Sequence, residues 1–276
     1  MEPGGHRPAE KRGGGRRRCV ILSVAAGLLL VTVAVVLGLT LRQKADKLRP
    51  TFMARCKGFK GYDCEKIWEE FTQAYVGQDP CKVPMEAYDP LVAAAPLKSS
   101  CNRIMLWSKT KEMVHDFTKK KDCFITLEDT VLGFVLDGLT WCGKEGSSET
   151  FTTSCPGWTE CENNPVRSFW KRASAAFADV ACGDVTAMLN GSITTPFDPK
   201  GIFGSIEVKR LNSTRVSSLN IVLVTQKNAV ANCRNTSLKD LQKVLDVGIT
   251  YNCTEVAESQ ILECSSNPEI PCGACW

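Results

Sequence analysis

Histidine is nearly absent from this chain. Of 276 residues only His6 and His115 are histidine, and His6 lies in a basic N-terminal tail. That excludes a multi-histidine metal site, and a histidine-based triad would rest on His115 alone. Phosphate-binding signatures are missing too: there is no P-loop, no G-x-G-x-x-G after a strand, and the early glycines precede an apolar span. No pair of C-x-x-C motifs occurs, and only Cys272-Gly-Ala-Cys275 has that close spacing, so the cysteines give no zinc signature. Net charge is also scarce. Lys plus Arg total 34 against 30 Asp plus Glu. The +4 excess lies entirely in residues 1–41, where Arg7, Lys11, Arg12, Arg16, Arg17 and Arg18 outnumber Glu2 and Glu10. The remainder carries 28 basic and 28 acidic residues, which is no general footprint for nucleic acid.

Uncharged apolar sequence and cysteine are abundant. Cys19–Leu41 runs 23 residues without a charge, roughly 34 Å as a helix and enough for a bilayer core of about 30 Å. A cleaved signal peptide is the rival, but its apolar region is about 7–15 residues long, and no small-residue cleavage site follows here. Arg42, Lys44, Lys47 and Arg49 flank the far side, yet the near cluster is denser, which points to a cytosolic N-terminus. Fourteen of the fifteen cysteines lie beyond the span, as do the sequons at Asn190, Asn212, Asn235 and Asn252. Both suit an oxidising, extracellular compartment. The expectation is a single-pass type II protein of the cell membrane: a cytosolic tail (1–18), a signal anchor (19–41), a charged stalk (42–55) and a disulfide-stapled ectodomain (56–276).

Within the ectodomain, Asp63–Tyr75 places Ile67, Trp68, Phe71 and Tyr75 on one helical face. Residues 79–100 hold four prolines and read as loop with short helical pieces. Ile104–Trp107 reads as a strand, and Lys111–Thr118 and Thr126–Leu136 as helices, the second with Thr126 and Asp129 spaced as a capping-box variant. Asn163-Asn164-Pro165 caps a further helix, with Gly183 as its stop. Ser205–Leu211 alternates like a strand. Asn220–Thr225, Ser237–Val247 and Ile249–Cys253 read as strand, helix and strand, a parallel crossover unit. The fold class expected is mixed α/β. A helical lobe (about 56–100 and 126–181) joins a lobe with a small, mainly parallel sheet flanked by helices (about 101–125 and 182–276).

Carboxylates are the main candidates for polar chemistry. Glu207 alternates with Ile206 and Val208 after the turn-like Asp198-Pro-Lys-Gly201, and on the residues alone a solvated strand face is the more common reading. Glu128 and Asp137 fall about 180° apart on a continuous helix, so they share a site only if the helix ends before Asp137. Gly138 permits that turn; ordinary caps are the alternative. Trp107 ends a strand, where parallel sheets gather their ligands. Trp170 and Ser174 are four apart and share a helical face. Taken singly, each tryptophan is more often core than ligand platform.

Five segments resemble the ADP-ribosyl cyclase family: IMLWS (104–108), TLEDTVLGFVLDGLTWCG (126–143), CENNPVRSFWKRASAAFADVAC (161–182), MLNGS (188–192) and FGSIEV (203–208). The similarity runs from about Cys56 to Cys272. It implies an ectoenzyme that cleaves NAD with no cofactor, NAD and NADP being substrates. The products implied are ADP-ribose, cyclic ADP-ribose (itself hydrolysed) and, with nicotinic acid exchanged onto NADP, a dinucleotide, all acting in calcium signalling. The N-terminal span matches the transmembrane branch rather than the lipid-anchored one. The resemblance makes Glu207 the carboxylate that stabilises the oxocarbenium-like ribosyl centre and Trp107 and Trp170 the indoles that position the bases. It makes Glu128 the acid that tunes cyclisation against hydrolysis, beside Asp137 at the nicotinamide amide. It places Ser174 near the reacting ribose, Phe203 on the pocket wall, and Ser108 and Lys109 at the substrate.

The resemblance also implies six disulfides: Cys56–Cys64, Cys81–Cys161, Cys101–Cys182, Cys142–Cys155, Cys233–Cys253 and Cys264–Cys272. Cys123 and Cys275 are left over, expected to join each other or a second chain, the latter giving a homodimer. Two departures stand out. Lys109 replaces an arginine found in transmembrane relatives and offers no bidentate fork; Gly201-Ile202 replaces a Ser-Thr pair. They admit a second reading, a receptor or adhesion ectodomain of the same fold with weak or lost catalysis.

Overall fold

A computed structural model describes residues 47–98, 100–226 and 228–276; the expected anchor at 19–41 lies outside them. The helices are α1 (Leu48–Cys56), α2 (Cys64–Gln73), α3 (Asp89–Ala94), α4 (Lys111–Lys120), α5 (Val131–Leu136), α6 (Pro165–Asp179), α7 (Thr236–Val244) and α8 (Glu258–Ser266). The strands are β1 (Met105–Ser108), β2 (Cys142–Lys144), β3 (Ser147–Phe151), β4 (Gly183–Asn190), β5 (Val216–Thr225) and β6 (Thr250–Ala257). Strands β1, β4, β5 and β6 form one parallel sheet in the order β1-β4-β5-β6, with Trp107 opposite Met188 and Val222 opposite Thr254. The expected crossover is the β5–α7–β6 unit. Among the described residues no helix is long and apolar enough to cross a membrane.

Both faces of the sheet are covered, which explains the unbroken apolar run at Asn220–Thr225. Leu106, Ile221 and Leu223 join the main core with Ile67, Phe71, Leu132 and Phe169. Met105, Met188, Val222 and Val224 face the other way, into a second cluster with Val114 and Phe117 of α4 and Ile261 of α8. Each fully buried side chain of this size contributes about 1.5–3 kcal/mol. Deep in the main core the Trp141 Nε1–H donates to the Tyr88 hydroxyl (3.0 Å), which donates to the Pro165 carbonyl (2.9 Å). The polar tips of two large aromatics are thereby satisfied.

Several expectations are corrected. The stalk reading fails from Leu48 onward: α1 buries Leu48 and Phe52, and the compact unit runs Leu48–Trp276. Its lysines and arginines hid an apolar i, i+4 pair. Ser205–Leu211 is no strand. Phe203–Glu207 is a π-helical turn and Val208–Arg210 a 3-10 turn, and Gly204 lets the first lie against the Asp198 carbonyl. The helix at Thr126–Leu136 is two pieces, a 3-10 turn at Leu127–Asp129 and then α5, parted at Thr130. The β2–β3 hairpin was not foreseen.

Five of the six implied disulfides are present: Cys56–Cys64, Cys81–Cys161, Cys101–Cys182, Cys142–Cys155 and Cys233–Cys253. The sixth, Cys264–Cys272, is replaced by two: Cys264–Cys275, with Cα atoms 5.5 Å apart, and Cys123–Cys272, at 6.4 Å. Cys123 and Cys275 are therefore bonded within the chain, neither to each other nor to a second copy. A six-bridge framework has no place for two extra cysteines, and the 3-10 turn at Cys272–Ala274 sends its flanking cysteines to different partners. The end of the chain is thereby tied to α4. Trp276 packs on Phe117 and Phe124 at 5.4 and 5.6 Å, and the Lys121 ammonium donates to the Asn267 and Ile270 carbonyls.

Candidate active site

Trp107 stands half-buried at the carboxyl end of β1, as its place in the sequence predicts. The chain turns sharply after Ser108, with Lys109 exposed and in the left-handed region at φ 58°. Two bonds pin that turn. The Thr110 hydroxyl donates to the Met188 carbonyl (3.0 Å), and the Asn190 Nδ2 donates to the Lys109 carbonyl (3.1 Å). Lys109 lines a cleft of about 310 Å³ with Lys111, Asn190, Gln226 and Glu258. Neither Glu207 nor any of the tryptophans reaches that cleft.

The turn bearing Glu128 is built by local chemistry. Thr126 donates through both its backbone N–H (2.8 Å) and its hydroxyl (2.9 Å) to Asp129 Oδ2, a capping box. Gly133 lets the turn lie directly on α5: a Cβ there would come within 2.2 Å of the Leu127 carbonyl oxygen. Glu128 Oε2 then accepts from the Trp107 indole N–H at 3.2 Å and lies 3.3 Å from His115 Nε2. Because α5 ends at Leu136, Asp137 escapes the opposite face. Its carboxylate accepts from the Lys111 ammonium at 2.8 Å, and the Arg55 guanidinium donates to its carbonyl at 2.7 Å. Lys111 and His115 are one turn apart on α4, so both acids meet a single helical face.

Glu207 comes from the other side. Its turn packs against α6 and β1, and Gly204 lets it close on the loop before it, since a Cβ there would sit 2.4 Å from the Asp198 carbonyl oxygen. Phe203 is buried beside it, edge-on to Phe197 at 6.1 Å. Helix α6 is fixed by Asn164, whose Oδ1 accepts from the Arg167 backbone N–H at 2.9 Å. It presents half-buried Trp170 and, one turn on, buried Ser174. Glu207 is only 7% exposed. Burial pushes its carboxyl up to about 8, the Ser174 hydroxyl acts in the opposite sense by hydrogen bonding, and the charge of Glu128 raises it further. The structure thus brings Glu207, Ser174, Glu128 and Trp107 into one neighbourhood.

Three residues were missed from sequence. Arg55 was assigned to the stalk, Lys111 was read only as a helix start, and His115 was set aside for want of company. The i, i+4 spacing of Lys111 and His115 was the available signal. Of the sequons, Asn212 and Asn252 are exposed, whereas Asn190 and Asn235 are half-buried and donate to the Lys109 and Thr194 carbonyls. Among the described residues no group of three or more His, Cys, Asp or Glu side chains is arranged to hold a metal ion.

The site thus holds a buried carboxylate, Glu207, with the Ser174 hydroxyl on it, and near it a second carboxylate, Glu128, that tethers the Trp107 indole. The family model described as ADP-ribosyl cyclase matches residues 45–273. The chain is 38% identical over 214 residues to ADP-ribosyl cyclase/cyclic ADP-ribose hydrolase 1 of Mus musculus, covering 76% of this chain and 70% of that one. It is 33% identical over 269 residues to the protein of the same name from Oryctolagus cuniculus, covering 91% and 90%. A solved structure of porcine CD38 with a covalent intermediate, ribo-F-ribose-5'-phosphate, superposes with a TM-score of 0.71 at 36% identity, covering 76% of this chain and 96% of that one. The chain belongs to the ADP-ribosyl cyclase family of enzymes.

Proposed function

We propose that this protein cleaves the nicotinamide–ribose bond of NAD, releasing ADP-ribose and cyclic ADP-ribose, hydrolyses the cyclic product, and exchanges nicotinic acid onto NADP. The observation that carries the reading is Glu207, buried, with its ionisation held off to about 8 and no cation paired with it among the described residues. As the C–N bond breaks, its electron pair leaves with nicotinamide and positive charge develops on the ribose. A carboxylate without a cationic partner gains most when that charge appears, so its attraction grows toward the transition state. Ser174 supports Glu207. Trp107 and Trp170 offer faces for the planar bases, and Phe203 walls the pocket. Glu128 and Asp137 meet the nicotinamide amide, and Glu128 biases capture of the ribosyl centre by water or by the adenine ring. Ser108 and Lys109 approach the diphosphate as point contacts.

The same reading places the body outside the cell, anchored through residues 19–41, with glycans best presented at exposed Asn212 and with its products feeding calcium signalling. The porcine relative forms a covalent intermediate, and direct engagement of Glu207 with the ribosyl carbon is the corresponding step in this reading. The test is incubation of the purified protein with NAD, following nicotinamide release and separating cyclic from linear product, with Glu207→Gln alongside. Release by the wild type and its loss in the variant are expected. No release by the wild type, or equal release by both, would sink the assignment.

A further inference from the structure

His115 is the one histidine of the body, and it stands at the site without a role in the reaction just described. It lies on α4 with its ring edge-on to the Trp107 indole, centroids 5.7 Å apart. Its Nε2 is buried, lies 3.3 Å from Glu128 Oε2 and makes no aligned hydrogen bond among the described residues. Both side chains are largely enclosed, at 14% and 11% exposure. The same Oε2 receives the only N–H of the Trp107 side chain. One carboxylate oxygen is therefore the meeting point of an imidazole from α4 and an indole from β1.

We propose that His115 is a positioning residue: it holds the Glu128 carboxylate, and through it the edge of Trp107, in the orientation that decides how the ribosyl centre is captured. This rests on the function proposed above. An indole stacks on a planar base by its face only while its edge is held, and a carboxylate fixed at one oxygen presents the other in a defined direction. A neutral imidazole with its proton on Nε2 suffices for this. On the same helix Lys111 is paired with Asp137 and Asp116 with Lys120. Trp276 packs on Phe117 of α4, and Cys123–Cys272 fastens the segment that follows the helix.

The test compares His115→Gln, whose amide nitrogen takes the place of Nε2, with His115→Asn, which carries the same group too short to reach Glu128. Each is made alone and with Glu128→Gln, and kcat, KM, the cyclic-to-linear product ratio and the melting temperature are measured. His115→Asn is expected to change the product ratio by about threefold to tenfold, His115→Gln to restore it, and His115→Asn to add nothing once Glu128 is Gln. Three results overturn the proposal while the parent function stands: an unchanged ratio in His115→Asn, the same change in both histidine variants, or an undiminished change in the Glu128→Gln background. A wild type that releases no nicotinamide removes the function and this proposal together.

Discussion

Two short turns each deliver a glutamate to the site, and they treat it in opposite ways. The turn at Leu127–Asp129 gives Glu128 the Trp107 indole N–H as a donor at 3.2 Å and sets His115 Nε2 3.3 Å from the same oxygen. The turn at Phe203–Glu207 buries Glu207 against little more than the Ser174 hydroxyl and pushes its carboxyl up to about 8. The same side chain is thus tethered in one place and left in want of positive charge in the other. A tethered carboxylate keeps its charge but presents it in a fixed direction, which suits it to orienting a ligand. An uncompensated one is stabilised when a cation forms beside it.

The contrast breaks first at Glu207. Replacing it with Gln is expected to lower the rate of nicotinamide release by about a thousandfold or more, the scale reached when a principal electrostatic stabiliser is lost. The same variant should show the cost of the buried charge to folding. The Glu207 carboxyl has an ordinary value of 4.5 and reaches about 8 when folded. The stability its proton gives is therefore full at pH below 4.5 and lost as pH rises through 8. Glu207→Gln, which cannot ionise, should match the wild type at acidic pH and exceed it by about 4 kcal/mol at pH 8 in denaturant titrations. Equal stability at both pH values would contradict the assigned burial.

A gentler probe uses the two glycines under the turns. A Cβ at Gly204 would come within 2.4 Å of the Asp198 carbonyl oxygen, and one at Gly133 within 2.2 Å of the Leu127 carbonyl oxygen. Each Ala substitution should cost about 1–3 kcal/mol of stability by forcing its turn outward. Their kinetic signatures should differ. Gly204→Ala is expected to lower the rate, and Gly133→Ala to move the cyclic-to-linear ratio, by about tenfold or less. Identical signatures would erase the distinction between the turns.

How much of this was legible depended on whether local pattern decided the conformation. The β5–α7–β6 crossover was plain, because apolar runs with matching caps leave one arrangement of neighbouring elements. The α6 start was equally plain from Asn164-Pro165. Glu207 was found by resemblance with its local structure misread: two turns of tight helix over Ser205–Leu211 also place apolar residues alternately, and tertiary contact with α6 and β1 settles the issue. The α1 helix was hidden by its charges. The Arg55 bond to the Asp137 carbonyl spans 82 residues, a separation no local pattern encodes. The last two disulfides were illegible for a similar reason, since spacing gives no connectivity. His115 shows the limit most clearly: its rarity argued against a role, and only the meeting of α4 with the Glu128 turn gives it one.

The central claim is that Glu207 must carry its charge to act on a cationic centre while burial resists that charge. The pH dependence of kcat/KM for NAD reads the ionisation of the free enzyme directly. The account predicts a value that rises with pH through an inflection near 8, where the Glu207 carboxyl ionises, and levels above it. A profile that stays level from about pH 6 to 9, or falls across that range, would contradict it.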